Sequence, residues 1–204
     1  MDINALNKIG YGVYLLSASD GERDNASIIN AVVQASMKPI MIGISVISRT
    51  YTNELIEKSG KFNITTISDE ADYSLFEHFG MKSGREFDKF ENFKDVARSE
   101  NGLLYLTKWA CAVFSVDVVE KTELGSHTFY IGKVSDAKIL SEENPCTYAY
   151  YYSDIKPKPA TAQTAIPKAW RCKICGFIYE GPELPKDYLC PLCGHGVDDF
   201  EPIY

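Results

Sequence analysis

The sequence predicts a mainly β protein, in which an antiparallel barrel with short helical insertions precedes a small unit built around four cysteines. Three observations support this fold class. Runs of β-branched, aromatic and alternating residues recur through residues 1–152. Two short segments among these runs carry the capping and stop residues of helices. Four of the six cysteines form two Cys-x-x-Cys pairs near the C-terminal end of the chain.

Strand-like segments account for most of the first part of the chain. Their residues are largely apolar, aromatic or β-branched, a composition that suits a half-buried pleated surface. In chain order, the predicted strands are residues 11–18, 27–35, 40–47, 62–67, 107–120, 128–140 and 148–152. Because many strands follow one another with few helices between them, we expect an antiparallel barrel.

Two helices are predicted between the strands, at residues 52–59 and 71–79. Thr52 is expected to cap the first helix, because a threonine hydroxyl accepts a hydrogen bond from a free N–H group at a helix start. Gly60 and Gly80 stand where the two helices should stop, since glycine adopts the left-handed conformation of a helix end without strain.

Composition and charge narrow the classes of function. The chain has 204 residues, is 45% hydrophobic and carries a formal net charge of −7. No basic patch indicates nucleic-acid binding, and an anionic surface argues against binding to anionic membranes. No apolar run reaches the roughly 18 residues of a membrane span. The N-terminus lacks the pattern of a signal peptide, so we expect a cytoplasmic protein with reduced cysteines.

A proline-rich segment predicts the boundary between two domains. Residues 153–168 contain three prolines, several alanines and threonines and no large apolar cluster, which is typical of a linker. The predicted organisation is therefore a domain at 1–152, a linker at 153–168 and a small domain at 169–204.

The two cysteine pairs predict a metal site. Cys172, Cys175, Cys190 and Cys193 can supply four thiolates in a tetrahedral arrangement, which selects zinc or iron. Spacing alone leaves both metals open, with a structural zinc ribbon as the alternative to an iron centre. The two remaining cysteines, Cys111 and Cys146, are expected to be a core residue and a loop residue rather than redox thiols.

The residues around the cysteine pairs resemble rubredoxin. The matching segments are 170–179, 184–194 and the tail 199–202, with aromatic residues expected to pack a very small core. The resemblance implies one iron held by the four cysteines. One departure is that only 14 residues separate Cys175 from Cys190, where classical rubredoxins have a much longer loop. This shortened form is similar to the rubredoxin-type domains appended to larger redox proteins.

The first domain resembles the flavin reductase-like, FMN-binding split-barrel family over roughly residues 5–152. The motifs that carry the resemblance keep the family's order and spacing, although Ser126 stands where aspartate is common. They lie at residues 24–39, 42–56, 59–62, 79–90, 125–134 and 145–152. The resemblance implies a split β-barrel, usually a homodimer, that binds FMN and takes electrons from NADH or NADPH.

The resemblance also implies which residues contact the flavin. Asn30, Gln34 and the backbone around Ala35 and Ser36 offer donors and acceptors that match the edge of an isoalloxazine ring, and Ser45 lies on the strand that follows. The phosphate is expected near a helix N-terminus. Two groups of residues are candidates for the phosphate site: Ser48, Arg49, Thr50 and Thr52, and a second cluster of Lys82, Ser83 and Arg85. The alternative is that Asn30 and Gln34 are ordinary strand residues and that Thr52 only caps its helix.

His127 is the candidate catalytic residue. The equivalent histidine of the family lies near the flavin and the nicotinamide entrance, where it could orient the hydride donor or stabilise reduced flavin. A structural histidine at a strand end is the alternative.

A split barrel followed by a rubredoxin-like domain resembles the high-molecular-weight rubredoxins. This implies electron transfer from NAD(P)H through FMN to iron, and then to a redox protein such as a flavodiiron protein. Two alternatives stay open. One is a flavin or ferric reductase that releases its reduced product, and the other is a zinc-ribbon interaction module on a flavin-binding barrel.

Overall fold

The chain divides into two compact units in the computed structural model, which describes residues 1–158 and 167–204. The larger unit is Gly10–Lys156, and the smaller one comprises Met1–Ile9 with Pro157–Tyr204. Residues 159–166, which make up half of the predicted linker, lie outside the described residues. The domain boundaries predicted from the sequence therefore stay a prediction.

The larger unit is built mainly from strands. The strands are β1 (Tyr14–Ser19), β2 (Asp24–Ile29), β3 (Val32–Met37), β4 (Ile40–Ile47), β5 (Lys61–Ile67), β6 (Val96–Arg98), β7 (Leu104–Leu106), β8 (Ala110–Glu123) and β9 (His127–Ile139). The helices are α1 (Tyr51–Ser59), α2 (Tyr73–Gly80) and α3 (Tyr148–Tyr150). The predicted mainly β fold class is confirmed.

Seven of these strands form one antiparallel sheet in the order β2-β1-β5-β8-β9-β4-β3. The sheet is covered on both faces, since the consecutive residues Leu15 and Leu16 are both fully buried but belong to different hydrophobic clusters. One cluster includes Phe76 and Phe79 of α2. The other includes Phe62 of β5 and joins side chains from α1, β4, β8 and β9. The second cluster supports the start of α1 and the end of β4.

The first helix begins earlier than the sequence predicts. Thr50 is its N-cap, and the Thr50 Oγ1 atom accepts a hydrogen bond from the Asn53 N–H group at 3.3 Å. The prediction that Thr52 is the cap is wrong, because the Thr52 hydroxyl is buried and accepts a hydrogen bond from Asn25 instead. The predicted stop at Gly60 is confirmed, since Gly60 has a φ of 65°.

The strand predicted at residues 148–152 is wrong. These residues form α3 and the start of a π-helical turn, Tyr151–Ile155. The Thr147 hydroxyl caps α3 by accepting from the Tyr150 N–H group. Tyr148 and Tyr151 are three residues apart, and both pack on the cluster beside α2, a spacing that suits a helical turn and not a strand.

The smaller unit contains a three-stranded antiparallel sheet. Its strands are β10 (Ala169–Cys172), β11 (Ile178–Glu180) and β12 (Phe200–Ile203), in the order β11-β10-β12. Its buried core consists of Cys172, Cys190 and Phe200. As predicted, aromatic residues complete the core: Trp170, Phe177, Tyr179 and Tyr188.

None of the helices within the described residues is long and apolar enough to cross a membrane.

Candidate functional site

The four clustered cysteines converge on one point in the smaller unit. Their Sγ atoms all lie within 4.8 Å of one another. The Sγ atoms of Cys172 and Cys193 are 3.6 Å apart, and those of Cys175 and Cys190 are 3.2 Å apart. A tetrahedral S4 site with metal–sulfur bonds of about 2.3 Å has sulfur–sulfur separations of about 3.8 Å. The donor set and its spacing therefore fit one tetrahedral ion.

Two matching turns place the sulfur atoms. Gly176 and Gly194 each follow a cysteine pair, and both have a φ of 74°. Their N–H groups donate to the carbonyl oxygens of Cys172 and Cys190, each at 2.8 Å. A residue with a Cβ atom would be strained in this left-handed conformation, so glycine allows the chain to turn back on both sides of the site.

The thiols of this cluster influence each other's protonation. A hydrogen bond from the Cys193 thiol, together with the N–H groups of Cys175 and Ile174, holds the pKa of Cys172 well below its usual value. The same contact with Cys172, together with burial, raises the pKa of Cys193. Four adjacent thiols cannot all ionise in this partly buried site without a cation to offset their charge. The cluster is thus suited to a metal ion.

In the larger unit, the residues predicted to bind the flavin phosphate surround the start of α1. The Ser48 N–H group donates to the Ser126 carbonyl oxygen at 3.0 Å, and the hydroxyls of Ser48 and Thr128 are 3.1 Å apart. These bonds join the end of β4 to the start of β9. A helix N-terminus that presents N–H groups beside hydroxyls favours an anion.

Arg85 is brought to the same place from a distant loop. Its guanidinium donates to both carboxylate oxygens of Glu54, at 2.8 and 2.6 Å, and to the Arg49 carbonyl oxygen at 3.2 Å. The contact with Arg85 lowers the pKa of Glu54. The other two residues of the predicted second cluster make different contacts. The Lys82 ammonium lies over the Phe87 ring, and the Ser83 hydroxyl accepts from the Arg85 N–H group.

Lys89 anchors the loop that carries Arg85. Its side chain is buried, and its Nζ atom donates to the carbonyl oxygens of Ala26 at 2.8 Å and Phe79 at 2.7 Å. The Phe79 carbonyl belongs to the last turn of α2, where a cation is favoured by the helix dipole. Burial lowers the pKa of Lys89 to about 8.

A buried polar atom close to α1 has no partner. Asn25 donates from Nδ2 to the Thr52 hydroxyl at 2.8 Å, but its Oδ1 atom is buried and accepts no hydrogen bond from the described residues. The loop residue Gly84 lies against Asn25, and a Cβ atom there would be 2.0 Å from Oδ1. Such an acceptor is suited to a hydroxyl donor. The surroundings of α1 therefore fit a ligand with an anionic group and hydroxyls, as FMN has.

The residues predicted to contact the flavin ring lie along β3 and β4. Asn30 is in the turn between β2 and β3, and the Ser45 N–H group donates to the neighbouring Ala31 carbonyl oxygen at 3.1 Å. Gln34 pairs with Ile42 and donates to the Met37 sulfur. Ala35 lies at an irregularity of the pairing, and the Ser36 hydroxyl accepts from the Lys38 N–H group.

These contacts form two groups in the larger unit. Gln34 and Ser36 pair with the start of β4, whereas Ser48 follows its end. Ser48 stands six positions after Ile42, and a strand rises about 3.3 Å per residue, so the groups are about 20 Å apart. The assignment of all these residues to a flavin stays a prediction.

His127 is the first residue of β9 and pairs with Ile47 at the end of β4. Its Nδ1 atom is 2.8 Å from the Ser126 hydroxyl. Because the Ser126 carbonyl oxygen accepts from Ser48, the candidate catalytic residue lies next to the candidate phosphate residues.

Two residues near this site were not predicted from the sequence. Asn53 and Tyr130 are buried and hydrogen-bonded to each other, with 2.8 Å between Oδ1 and the phenol oxygen. Asn53 lines a cavity of about 290 Å³, together with Ser48, Glu57, Glu123, Gly125 and Thr128. A cap at Thr50 marks position 53 only through its backbone N–H group, and no sequence signal marks the Asn53 side chain or Tyr130.

The two isolated cysteines are both buried in the larger unit. Cys111 lies at the start of β8. Cys146, expected in a loop, lies between β9 and α3 but is fully buried in the cluster beside α2. Burial raises the pKa of Cys146 to about 11, so its thiol stays protonated at neutral pH.

Two family models match the chain. The flavin reductase-like domain matches residues 6–158, and the rubrerythrin, rubredoxin-like domain matches residues 170–201. The chain therefore belongs to the flavin reductase-like family, a class of oxidoreductases, and joins such a domain to a rubredoxin-like domain.

Two relatives align with most or all of the chain. Over its full length, the chain is 36% identical to the high molecular weight rubredoxin of Moorella thermoacetica, which it covers completely. It is 30% identical to the ferric-chelate reductase (NAD(P)H) of Archaeoglobus fulgidus, with 81% of this chain and 96% of that protein aligned.

Among solved structures, the flavin reductase PheA2 in its native state matches with a TM-score of 0.58 and 28% identity, over 71% of this chain and 88% of that chain. The fold class and the resemblances described from the sequence are confirmed.

Proposed function

We propose that the protein carries electrons from NADH or NADPH, through FMN in the larger unit, to an iron ion held by Cys172, Cys175, Cys190 and Cys193. The observation that carries this proposal is the cluster of four Sγ atoms within 4.8 Å in a chain whose other unit is flavin reductase-like. When bound, a flavin accepts electrons in pairs and releases them singly, which lets a two-electron donor supply a one-electron centre.

The residues at the start of α1 bind and orient the flavin. The Ser48 hydroxyl and the first N–H groups of α1 hold the phosphate, while Thr50 shapes the loop between them by donating its hydroxyl proton to the Ile47 carbonyl oxygen. Arg85 fixes the loop around this group through Glu54 and the Arg49 carbonyl oxygen. His127, next to Ser48, orients the nicotinamide donor by hydrogen bonding.

The four cysteines give the iron site one closed and one open side. Cys172 and Cys190 are buried, whereas Cys175 and Cys193 are half-buried. The partly exposed sulfur atoms provide the route by which electrons leave the protein. The acceptor is a redox protein with a basic face, such as a flavodiiron protein, because the chain has a net charge of −7.

The protein works as a homodimer in the cytoplasm. The support for a dimer is the edge of the sheet, where β3 exposes Val33 and Met37 (55% and 68%) and β4 exposes Ile40. Exposed apolar side chains on a sheet edge favour association with a second copy.

The test is an anaerobic absorption spectrum of the full chain before and after NADH or NADPH is added. We expect flavin and ferric–thiolate bands that both bleach. In a Cys175→Ser variant the flavin band should still bleach, while reduction of an added redox-protein acceptor falls at least tenfold. Cys111→Ser serves as the control and should keep both bands. Persistent ferric bands with both donors, or zinc in place of iron by elemental analysis, would overturn the relay.

A second candidate function is reduction of a ferric chelate by the flavin unit itself. The alignment with 96% of the ferric-chelate reductase of Archaeoglobus fulgidus favours it. In that case, Cys175→Ser should reduce ferric chelates at the wild-type rate. A fall of that rate in the variant would show that chelates also receive their electrons through the four-cysteine site, which would overturn this second function.

A further inference from the structure

Two consecutive hydrogen bonds, made by the buried side chains of Tyr130 and Asn53, lead from the barrel interior to the start of α1. The Tyr130 hydroxyl donates to Asn53 Oδ1 at 2.8 Å, and Asn53 Nδ2 donates to the Ser48 carbonyl oxygen at 3.0 Å. Tyr130 is 1% exposed and Asn53 is 3% exposed. These two hydrogen bonds thus connect a strand of the barrel with Ser48, the first residue of the loop that we propose binds the flavin phosphate.

The direction of each bond is fixed by the chemistry of its ends. The Ser48 carbonyl oxygen can only accept, so the Asn53 amide must turn its NH2 group toward it. The Asn53 oxygen then faces Tyr130 and needs a donor. Burial, with a smaller contribution from the charge of Glu57, raises the pKa of Tyr130 to about 12. The phenol therefore keeps its proton at physiological pH.

Other hydrogen bonds also hold the loop from Ser48 to Thr50. The Ser48 N–H group donates to Ser126, and its hydroxyl contacts Thr128. The Thr50 hydroxyl donates to the Ile47 carbonyl oxygen and accepts from the Asn53 N–H group. The Ser48 carbonyl has its bond from Asn53, and Asn53 depends on Tyr130 for its orientation.

We propose that Tyr130 and Asn53 are positioning residues that hold the Ser48–Thr50 loop in the conformation that receives the phosphate of FMN. This inference rests on the proposed function. It implies that the protein distinguishes FMN from riboflavin, which lacks the phosphate, through two residues that do not themselves contact the ligand.

The test compares Tyr130→Phe with the wild type in the full chain, with Kd values for FMN and riboflavin measured by quenching of flavin fluorescence. The variant keeps the ring but leaves Asn53 Oδ1 without a donor. A lost buried hydrogen bond of about 1.4 kcal/mol corresponds to about a tenfold change. We expect the Kd for FMN to rise about tenfold and the Kd for riboflavin to change less than twofold.

Two further variants complete the design. Asn53→Asp cannot donate to the Ser48 carbonyl oxygen and adds a negative charge, so the Kd for FMN should rise by more than in Tyr130→Phe. Tyr105→Phe removes a hydroxyl on β7 and should leave both Kd values unchanged. Thermal unfolding of each variant checks that it is folded.

Each outcome has a distinct meaning. If the wild type binds riboflavin as tightly as FMN, the phosphate site at Ser48–Thr50 is wrong, and that part of the proposed function fails with it. If the wild type prefers FMN and Tyr130→Phe keeps the full preference, only the positioning role is overturned. Equal weakening of both ligands in Tyr130→Phe also overturns it, because the hydroxyl would then act on overall stability.

Discussion

The two units of this chain keep their structure by different means. The larger unit buries Leu15, Phe62, Phe79 and many other apolar side chains on both faces of a seven-stranded sheet. In the smaller unit the buried core is Cys172, Cys190 and Phe200, with aromatic residues around it. Domains with so little core depend on cross-links or metals. The residues proposed to transfer electrons in the smaller unit are therefore also the residues that keep it folded.

The two tryptophans allow each unit to be followed separately in the full chain. Trp109 lies in the larger unit and Trp170 in the smaller one, and the sequence has no other tryptophan. Trp109→Phe and Trp170→Phe backgrounds therefore report the unfolding of one unit each.

The largest effect is expected from removing a cysteine of the cluster. Cys172→Ser should abolish iron binding and unfold the smaller unit, because metal binding is coupled to folding in domains with so small a core; in zinc-finger peptides the structural zinc contributes about 10–16 kcal/mol. The Trp170 fluorescence should become that of an unfolded chain, while the Trp109 transition stays in place. Cys111→Ser is the matched control and keeps the metal. If the smaller unit stays folded without metal, the view that its stability depends on the metal site is wrong.

Shortening a side chain in the core of the barrel should destabilise the larger unit and leave the smaller unit unchanged. Phe62 is fully buried, and Phe62→Ala is expected to lower the free energy of unfolding of the larger unit by about 3–5 kcal/mol. Urea unfolding followed by Trp109 measures this loss. Iron content and the Trp170 transition should not change, and a joint loss of both would show that the units are energetically coupled.

Because of Lys89, we expect the free energy of unfolding of the larger unit, but not of the smaller one, to depend on pH. Its pKa is about 8 in the folded protein, whereas an unfolded lysine has a pKa of about 10.4. Between these values the unfolded chain binds more protons, so the free energy of unfolding rises with pH, by up to about 3 kcal/mol.

The measurement for Lys89 is urea unfolding from pH 7 to 10.5, followed by Trp109. The difference between the wild type and Lys89→Met should grow with pH above 8 and stay constant below it. Lys94→Met, a change at an exposed position on the same loop, should show no such difference. A flat difference for Lys89→Met would mean that Lys89 titrates normally.

The smallest effect is expected at the start of α1. Thr50→Ala removes the hydroxyl that caps this helix and should cost about 1 kcal/mol in the Trp109 transition. Thr50→Ser keeps the capping oxygen and should stay within a few tenths of a kcal/mol of the wild type. The smaller unit should not respond to either change, and a shift of the Trp170 transition would count against separate stability.

The sequence predicts best what depends on neighbouring residues. The cysteine pairs, the stop at Gly60 and the strand at 40–47 follow from local spacing, and the structure confirms them. The tyrosine-rich segment 148–152 misleads because aromatic residues favour strands, although a cap at Thr147 and packing on α2 select a helix. Thr52 misleads because its hydroxyl is taken by Asn25.

What the sequence cannot predict is contact between distant residues. Asn53 and Tyr130 are 77 residues apart, and nothing in either segment shows that they form a hydrogen bond. Arg85 was predicted from a family motif, yet its contact with Glu54 depends on how a loop folds back over α1. Only the register of β4 with β9 places His127 beside Ser48.

The twin turns at Gly176 and Gly194 have a consequence for the speed of electron transfer. Each turn fixes its cysteine pair through a backbone hydrogen bond of the same length, so the four sulfur atoms belong to a nearly two-fold symmetric and rigid frame. A frame held by the backbone does not rearrange when the charge at its centre changes by one unit. With iron bound, such a frame would keep the reorganisation energy of the site small, so that an electron would enter and leave with little movement of the four cysteines.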